Sequence, residues 1–254
     1  MNLWEGSVVF TAALVAGAIN AVAGGGTLVS FPALVWALGD AVTANATSTV
    51  ALLPGSLSSA VAYRSDMGGA GRWLAWLSGP SLAGGLLGAW LLLATPASAF
   101  SRVVPYLVFG ATLLRALSGP INRWLMHPHG EQRSKAWWAG AMVFQFGVAV
   151  YGGYFGAGIG LLMLAALGLL GLTDIHKMNG LKCLLNLGIN GVAAIYFVLA
   201  GKVVWPEAAV MTVAAIVGGY LGAAGAKKLG KKFVNAAVLA IGVASGLWLL
   251  ARSR

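Results

Sequence analysis

The sequence predicts an all-α polytopic membrane protein of about 8–10 membrane helices, built from two inverted repeats that contain glycine-broken helix pairs. Composition is the first observation: 59% of the 254 residues are hydrophobic and only 9% are charged. Soluble domains carry roughly 25% charged residues, so this chain has too few to cover a globular surface in water. The other two observations are the spacing of the apolar runs and an internal repeat.

Eight apolar runs follow one another along the chain. Six of them have the roughly 20 residues that one membrane span needs, and two are too long for a single helix. The first long run breaks at Gly24-Gly25-Gly26, and the second breaks around Gly152-Gly153 and Gly156–Gly160. We expect each long run to form two shorter helices. The runs lie at about 7–39, 44–63, 73–95, 99–117, 136–171, 176–200, 206–226 and 233–251.

The two halves of the chain repeat one pattern. An offset of 134 residues places Gly24 on Gly158 and Asn45 on Asn179, and it aligns the glycine-rich segments 84–89 and 218–223. Agreement without gaps over this length indicates a duplicated unit. The sequence therefore divides into a first membrane repeat (1–117), a cytoplasmic linker (118–135) and a second membrane repeat (136–254).

The basic residues predict an inverted orientation for the second repeat. The net charge is +10, but the Lys and Arg residues lie mostly in short gaps between apolar runs, where charge sets membrane orientation. Nucleic-acid binding is not expected. With the gap at 64–72 in the cytoplasm, the linker is also inside and both termini are outside. The equivalent gap at 198–206 then lies outside, so the two repeats face opposite ways.

The glycine breaks are candidate anion-binding elements. A helix that restarts after a break presents free N–H groups and a positive dipole end, which attract anions. Unwound backbone at membrane depth also has to line a cavity or be buried. Other glycines at three- and four-residue spacing, Gly84, Gly85, Gly88, Gly218, Gly219 and Gly222, are typical of tight helix packing. The proposed backbone cradle comprises Gly24, Gly25, Gly26, Thr27, Gly156, Gly158 and Gly160.

Polar side chains form one stripe on the helix that follows each break. In the second half Asn179, Lys182, Asn186 and Asn190 share a helix face. The equivalent stripe in the first half is Asn45, Ser48, Thr49 and Ser56. Lys182 has two interpretations: it pairs with an anionic substrate, or it reaches the cytoplasmic interface along its own helix. Ser48 occupies the equivalent position, so the two half-sites are not identical.

The sequence gives no pattern for catalysis or metal binding. No nucleophile–base pair, metal cluster or carboxylate at mid-membrane is visible, so we expect neither an enzyme nor a cofactor. If transport is linked to protons, the proton can travel on the substrate. Trp residues near the run ends fit an aromatic belt at the interfaces of a lipid bilayer.

Several of these segments resemble the sulfite exporter TauE/SafE family. They are Ala23–Leu34, Ala44–Ser48, Leu53–Ser56, Gly152–Gly160 and Met178–Lys182. The resemblance covers nearly the whole chain. It implies a multi-pass transporter of the prokaryotic cell membrane that exports sulfite, an organosulfonate or another small sulfur-containing anion. Two departures are Ala166 at the position equivalent to Pro32, and Cys183 where relatives often have Asn.

We therefore expect a secondary transporter with alternating access around a midplane site. In this prediction the glycine breaks cradle the anion, Asn45 and Asn179 donate hydrogen bonds to it, and Lys182 supplies charge. An anion channel and a membrane-embedded assembly factor without transport activity are the alternatives. A coupling proton and a homo-oligomer are both compatible with the sequence.

Overall fold

The chain folds into helices in every segment that the structure describes. The structure is a computed structural model, and it describes residues 3–22, 25–62, 68–119, 135–172, 174–225 and 231–252. The helices within these ranges are α1 (Leu3–Val22), α2 (Thr27–Leu38), α3 (Ala41–Ala62), α4 (Gly71–Ala94), α5 (Ala97–Ala116), α6 (Lys135–Tyr154), α7 (Ile159–Leu169), α8 (Ile175–Leu199), α9 (Trp205–Gly225) and α10 (Lys231–Arg252).

The prediction of an all-α polytopic membrane protein is confirmed. Within the described ranges there are ten helices and no strand. Four helical segments are long and apolar enough to cross a membrane: Leu3–Asn20, Gly71–Ala94, Ala97–Ala116 and Lys177–Leu199. Two further apolar helices, α2 and α7, have 12 and 11 residues and are the short arms that follow the breaks.

Both predicted helix breaks occur, and the second is shorter than the segment predicted from the sequence. Gly25 and Gly26 precede α2, while residues 155–158 separate α6 from α7. Gly152 and Gly153 were expected to belong to the second break, and this was wrong. Both lie inside α6. Gly153 serves helix packing there, since a Cβ on it would overlap the carbonyl oxygen of Gly85 in α4.

The two halves are interlocked rather than side by side. The most extensive contacts join α1 of the first half to α9 of the second, and α6 of the second half to α4 of the first. α1 and α6 are equivalent under the 134-residue offset, as are α4 and α9. The contacts thus repeat when the halves are exchanged, which is the pattern that a twofold relation between them produces.

Glycines at these crossings let two backbones touch, as the sequence predicted. A Cβ on Gly218 of α9 would overlap the carbonyl oxygen of Leu14, and one on Gly88 of α4 would overlap that of Val150. Gly84 and Gly85 also meet neighbouring helices closely, whereas Gly219 is less crowded. The side-chain position of Gly222 lies outside the described part. In lipid, such close approach is a main source of helix–helix attraction.

The equivalent helices α3 and α8 run antiparallel. At one end, Thr47 near the start of α3 accepts a hydrogen bond from the backbone N–H of Val204, just beyond α8 (3.1 Å). At the other end, the chain leading from α3 to α4 reaches Lys177 at the start of α8, whose Nζ lies 3.9 Å from the Cβ position of Gly69. Opposite directions are expected of equivalent helices in inverted repeats, and the inversion of the complete halves stays a prediction.

These contacts also group the polar gaps as the charge analysis does. Burial alone would raise the pKa of Asp40, but hydrogen bonds from Thr43 and Val42 and the charge of Lys202 hold it below its usual range. The charge of Lys202 thus acts on Asp40, and the hydrogen bond from Val204 to Thr47 brings the gap at 198–206, predicted outside, to the start of α3. The gap at 64–72, predicted inside, meets Lys177 at the start of α8. Which end faces the cytoplasm stays a prediction.

The second broken pair forms a helical hairpin. The indole Nε1 of Trp137, near the start of α6, donates to the carbonyl oxygen of Leu169 at the end of α7 (2.8 Å). The pair therefore begins and ends at the same end of the bundle. Of the predicted linker at 118–135, only residues 118, 119 and 135 are described, so its assignment stays a prediction.

Candidate functional site

The second break is a tight turn made by two left-handed glycines. Gly156 has φ +76° and Gly158 has φ +75°, values that side-chain-bearing residues rarely adopt. The backbone N–H of Phe155 and that of Gly156 both donate to the carbonyl oxygen of Tyr151. These two hydrogen bonds terminate α6 just after Tyr154. The hydroxyl of Tyr151 donates to the carbonyl oxygen of Ala157. The start of α7 is thus held in a fixed direction by its own turn.

Lys182 of α8 lies against the first turn of α7. Its Cδ is 3.4 Å from the position that a Cβ on Gly160 would take, so the absence of a side chain at Gly160 makes room for the lysine stem. Nζ of Lys182 donates to Oδ1 of Asn179 (2.8 Å). The ammonium is therefore held within the protein by a neutral partner. A helix start and a cation at one place both favour an anion.

A second cation near this place was missed by the sequence analysis. Arg115, in the last turn of α5, is close enough for its charge to act on Lys182. It is only partly exposed. The sequence analysis did not single it out, because no local pattern shows that the end of α5 comes near Lys182. The lysine and the arginine together make this region locally positive.

The first half contributes Asn45 to the second break. Nδ2 of Asn45 donates to the carbonyl oxygen of Tyr154, the last residue of α6 (3.1 Å). Asn45 was predicted to donate to the substrate, and in this structure that donor is already engaged. Its Oδ1 is buried and accepts from no residue in the described part. The hydrogen bond to Tyr154 fixes this amide orientation, because the reversed amide would put two oxygens face to face.

The first break is capped by a side chain that the sequence analysis did not single out. Asn20 of α1 accepts a hydrogen bond at Oδ1 from the backbone N–H of Gly26 (2.7 Å). One of the predicted anion-binding N–H groups is therefore occupied. Gly25 has φ +93°, and α2 begins at Thr27. Gly24 lies outside the described residues.

Ser48 is used differently from its counterpart Lys182. It is 1% exposed and its Oγ lies 3.2 Å from Oγ of Ser30 on α2. The two equivalent positions therefore differ in their contacts as well as in residue type. Ser48 joins α3 to α2 through Ser30, whereas Lys182 of α8 lies against α7. The other stripe residues bond within their own helices, Thr49 to the carbonyl oxygen of Asn45 and Asn190 to Asn186.

The two breaks are brought into contact through aromatic rings. Phe31 of α2 packs edge-on against Phe155 of the second break, with ring centroids 5.2 Å apart. Both rings belong to the buried core, with exposures of 0% and 2%. The predicted residues that cluster at the second break are therefore Asn45, Gly156, Gly158, Gly160 and Lys182, whereas Ser48 and Gly26 lie on the α2 side.

A buried polar pair between α4 and α6 was also missed. Nε2 of Gln145 donates to Oγ of Ser81 (2.9 Å), and both residues are at most 1% exposed. Gln145 is a single polar residue within an apolar run, so the sequence does not indicate which residue it contacts. Among the described residues, no group of three or more His, Cys, Asp or Glu side chains could hold a metal ion.

Gly158→Ala tests whether the left-handed turn is required. We expect the alanine to destabilise the fold by about 1–2 kcal/mol, because a Cβ is strained at this φ. The nearest atom to that Cβ is 3.4 Å away, an ordinary contact, so crowding is not the cause. Thermal unfolding in detergent measures the effect. Gly191→Ala in α8 is the control, since its Cβ meets nothing within 4 Å and should raise stability slightly. Equal shifts in the two variants would contradict the interpretation.

The fold and its glycine-broken hairpins define a class, that of polytopic helical membrane proteins. The sequence matches the family model described as "Sulfite exporter TauE/SafE" over residues 9–249. The chain therefore belongs to the TauE/SafE family, and it is a membrane transporter of that type. The family predicted from the sequence motifs is confirmed.

Curated relatives cover nearly the same length. A probable membrane transporter protein of Haemophilus influenzae is 27% identical over 92% of this chain and 89% of its own length. The probable membrane transporter protein YfcA of Escherichia coli K12 is 26% identical over 96% of this chain and 88% of its own. A probable membrane transporter protein of Sinorhizobium, ORF9, is 25% identical over 95% and 91%. No solved structure matches the chain.

Proposed function

We propose that the protein is a secondary transporter that exports a small sulfur-containing anion, such as sulfite or an organosulfonate, across the cell membrane. The observation that carries this proposal is the position of Lys182, held by Asn179 beside the first turn of α7. The family description supports a sulfur oxyanion as the substrate class. The charge of Arg115 adds to the attraction.

The site residues have distinct roles in this proposal. Backbone N–H groups at the start of α7 and α2 face the anion, except those already bonded, such as the N–H groups of Gly26, Ile159 and Leu161. Lys182 supplies the charge that neutralises the anion. Asn179 positions the ammonium and exchanges this hydrogen bond for one to the substrate. Asn45 ties α3 to the end of α6, and its unpaired Oδ1 can accept a hydrogen bond from a protonated form of the anion.

Alternating access then requires that each moving unit contains helices of both halves. α1 contacts α9 and α4 contacts α6 with backbones touching at glycines, so these pairs move together. Rocking one complete half against the other would break both contacts. We propose that the units separate along the α3/α8 and α5/α10 contacts, which cross between the halves without comparable backbone overlap at glycine.

Flux of labelled sulfite from proteoliposomes tests the function. Purified protein should give saturable efflux above that of protein-free vesicles, and unlabelled sulfoacetate or thiosulfate should compete if the site accepts sulfur anions. Sulfate is the matched comparison for charge and shape. An absence of flux for all these anions, with correctly folded protein in the vesicles, would favour the assembly-factor alternative.

Electrical recording separates a carrier from an anion channel. A carrier gives no unitary currents in a planar bilayer, and its efflux accelerates when unlabelled substrate is present on the opposite side. Unitary anion currents would favour the channel. Repeating the flux at a series of imposed pH gradients tests the coupling proton, since a proton carried with the substrate makes the rate depend on the gradient.

A further inference from the structure

A cavity lies at one end of the α4/α6 contact, away from the glycine breaks. Its volume is about 480 Å³, and it is lined by Arg72, Trp73, Trp76 and Trp138. We call these four residues the tryptophan groove. Three of them begin α4 in the first half and one begins α6 in the second half. The groove therefore spans the boundary between the two halves.

The groove has an ordered aromatic floor. Trp73 and Trp138 are stacked with centroids 5.4 Å apart, and Trp76 meets Trp138 edge-on at 6.3 Å. The guanidinium carbon of Arg72 lies 5.7 Å from the ring centre of Trp73. Within the described ranges, no residue accepts a hydrogen bond from the indole N–H of these three tryptophans. Flat apolar rings with free N–H donors suit a molecule that has both an apolar and a polar part.

The surroundings of the groove are basic. Arg72 is exposed, and α4 has no acidic residue in its first turn. Lys177 lies beside Gly69, three residues before Arg72, and the carboxylate of Asp174 accepts a hydrogen bond from the backbone N–H of Lys177. The side chains of Arg72, Lys177 and Asp174 together are therefore positively charged. The occupant should therefore carry negative charge at the polar end of the groove.

The groove also opens towards the bilayer. Trp76 is 60% exposed, and Leu87 and Trp90, which follow it on the same face of α4, are exposed as well. In a membrane this face is in contact with acyl chains. Basic residues at the membrane boundary, next to an apolar surface between helices, are a recurring arrangement for anionic lipid headgroups.

We propose that the tryptophan groove binds a phospholipid with an anionic headgroup. The headgroup phosphate pairs with Arg72 and accepts hydrogen bonds from the indole N–H groups. The part of the acyl chains nearest to the headgroup packs on the stacked rings. Because Trp73 and Trp138 come from different halves, a bound lipid holds the α4 and α6 ends together. This role is independent of the substrate site.

Quenching by brominated lipids tests the proposal. Purified full-length protein is placed in vesicles of phosphatidylcholine with either brominated phosphatidylglycerol or brominated phosphatidylcholine at the same mole fraction. The part of the tryptophan emission that is lost in a Trp73→Phe, Trp76→Phe, Trp138→Phe variant reports the groove. We expect brominated phosphatidylglycerol to occupy it about fivefold more strongly than phosphatidylcholine, the preference that one basic residue near the surface provides.

Two arginine variants decide the outcome. Arg72→Gln should remove the preference for the anionic lipid, while Arg102→Gln, an exposed arginine near the start of α5, should leave it unchanged. Equal quenching by the two lipids in the wild-type protein overturns the proposal, as does a preference that survives Arg72→Gln. If the triple Phe variant does not fold, single Phe variants and native mass spectrometry of retained phosphatidylglycerol in the Arg72→Gln protein give the same comparison.

Discussion

Lys182→Ala should slow sulfite efflux from proteoliposomes by roughly 10- to 100-fold, the factor expected for losing one charge-assisted hydrogen bond to the substrate. The side chain lies against the first turn of α7, and its ammonium donates a hydrogen bond to the neutral Asn179. Its removal takes away a charge from the proposed anion site and leaves no buried carboxylate unpaired. The helix bundle should therefore remain intact while transport is lost.

The controls for Lys182 separate charge from shape. Lys202→Ala removes an exposed lysine from the opposite end of α8 and should transport at the wild-type rate. Lys182→Arg keeps the charge and should retain more activity than Lys182→Ala. Thermal unfolding of each variant in detergent checks that the fold is unchanged. Wild-type efflux from the folded Lys182→Ala protein would show that the lysine reaches the interface and does not serve the substrate.

Gly88→Ala and Gly218→Ala should each destabilise the protein by about 3 kcal/mol or more, at the upper end of the range for overpacked interiors. A Cβ at Gly88 overlaps the backbone of α6, and one at Gly218 overlaps the backbone of α1. Neither neighbour can move a side chain aside, because the atoms in the way belong to the main chain. We expect large drops in the thermal unfolding temperature and poor yields of monodisperse protein.

Gly147→Ala on α6 is the control for Gly88→Ala. Gly147 belongs to the helix that Gly88 packs against, but a Cβ there meets nothing within 4 Å. Alanine there should be neutral or raise stability by about 0.5–1 kcal/mol, because glycine is a poor helix former. If Gly88→Ala and Gly147→Ala gave similar unfolding temperatures, the close α4/α6 crossing would be wrong.

The helix breaks and the packing glycines were predictable because their causes are local. A run too long for one span has to break, and Gly25 and Gly158 supply the left-handed conformation at which it does. Gly152 and Gly153 look the same in the sequence as the glycines of the turn. Gly153 packs against Gly85 of α4 and Gly152 against Ile159 of α7, contacts that no local pattern reveals.

Partners across the bundle were not predictable, because a single sequence shows which face of a helix is polar but not what it meets. Asn45 was correctly placed on a polar stripe, yet its bond to Tyr154 joins residues 109 positions apart. Arg115 and the Gln145–Ser81 pair were missed for the same reason. The interlocking of α1 with α9 depends on tertiary packing, since the repeat indicates equivalent helices without showing how they pair.

The exchange of helices between halves has a consequence for biosynthesis. The partner of α4 is α6, which begins some 40 residues after α4 ends, whereas α1 has to wait for α9, which begins at Trp205. At about 5–20 residues per second, α1 stays in the bilayer for roughly 10–40 s before that partner is synthesised. During this interval, the face of α1 that carries Gly17 and later packs against Ala215 of α9 lies against lipid. The two equivalent crossings therefore form at very different times during translation, and the first half cannot complete its packing before the ribosome has nearly finished the second.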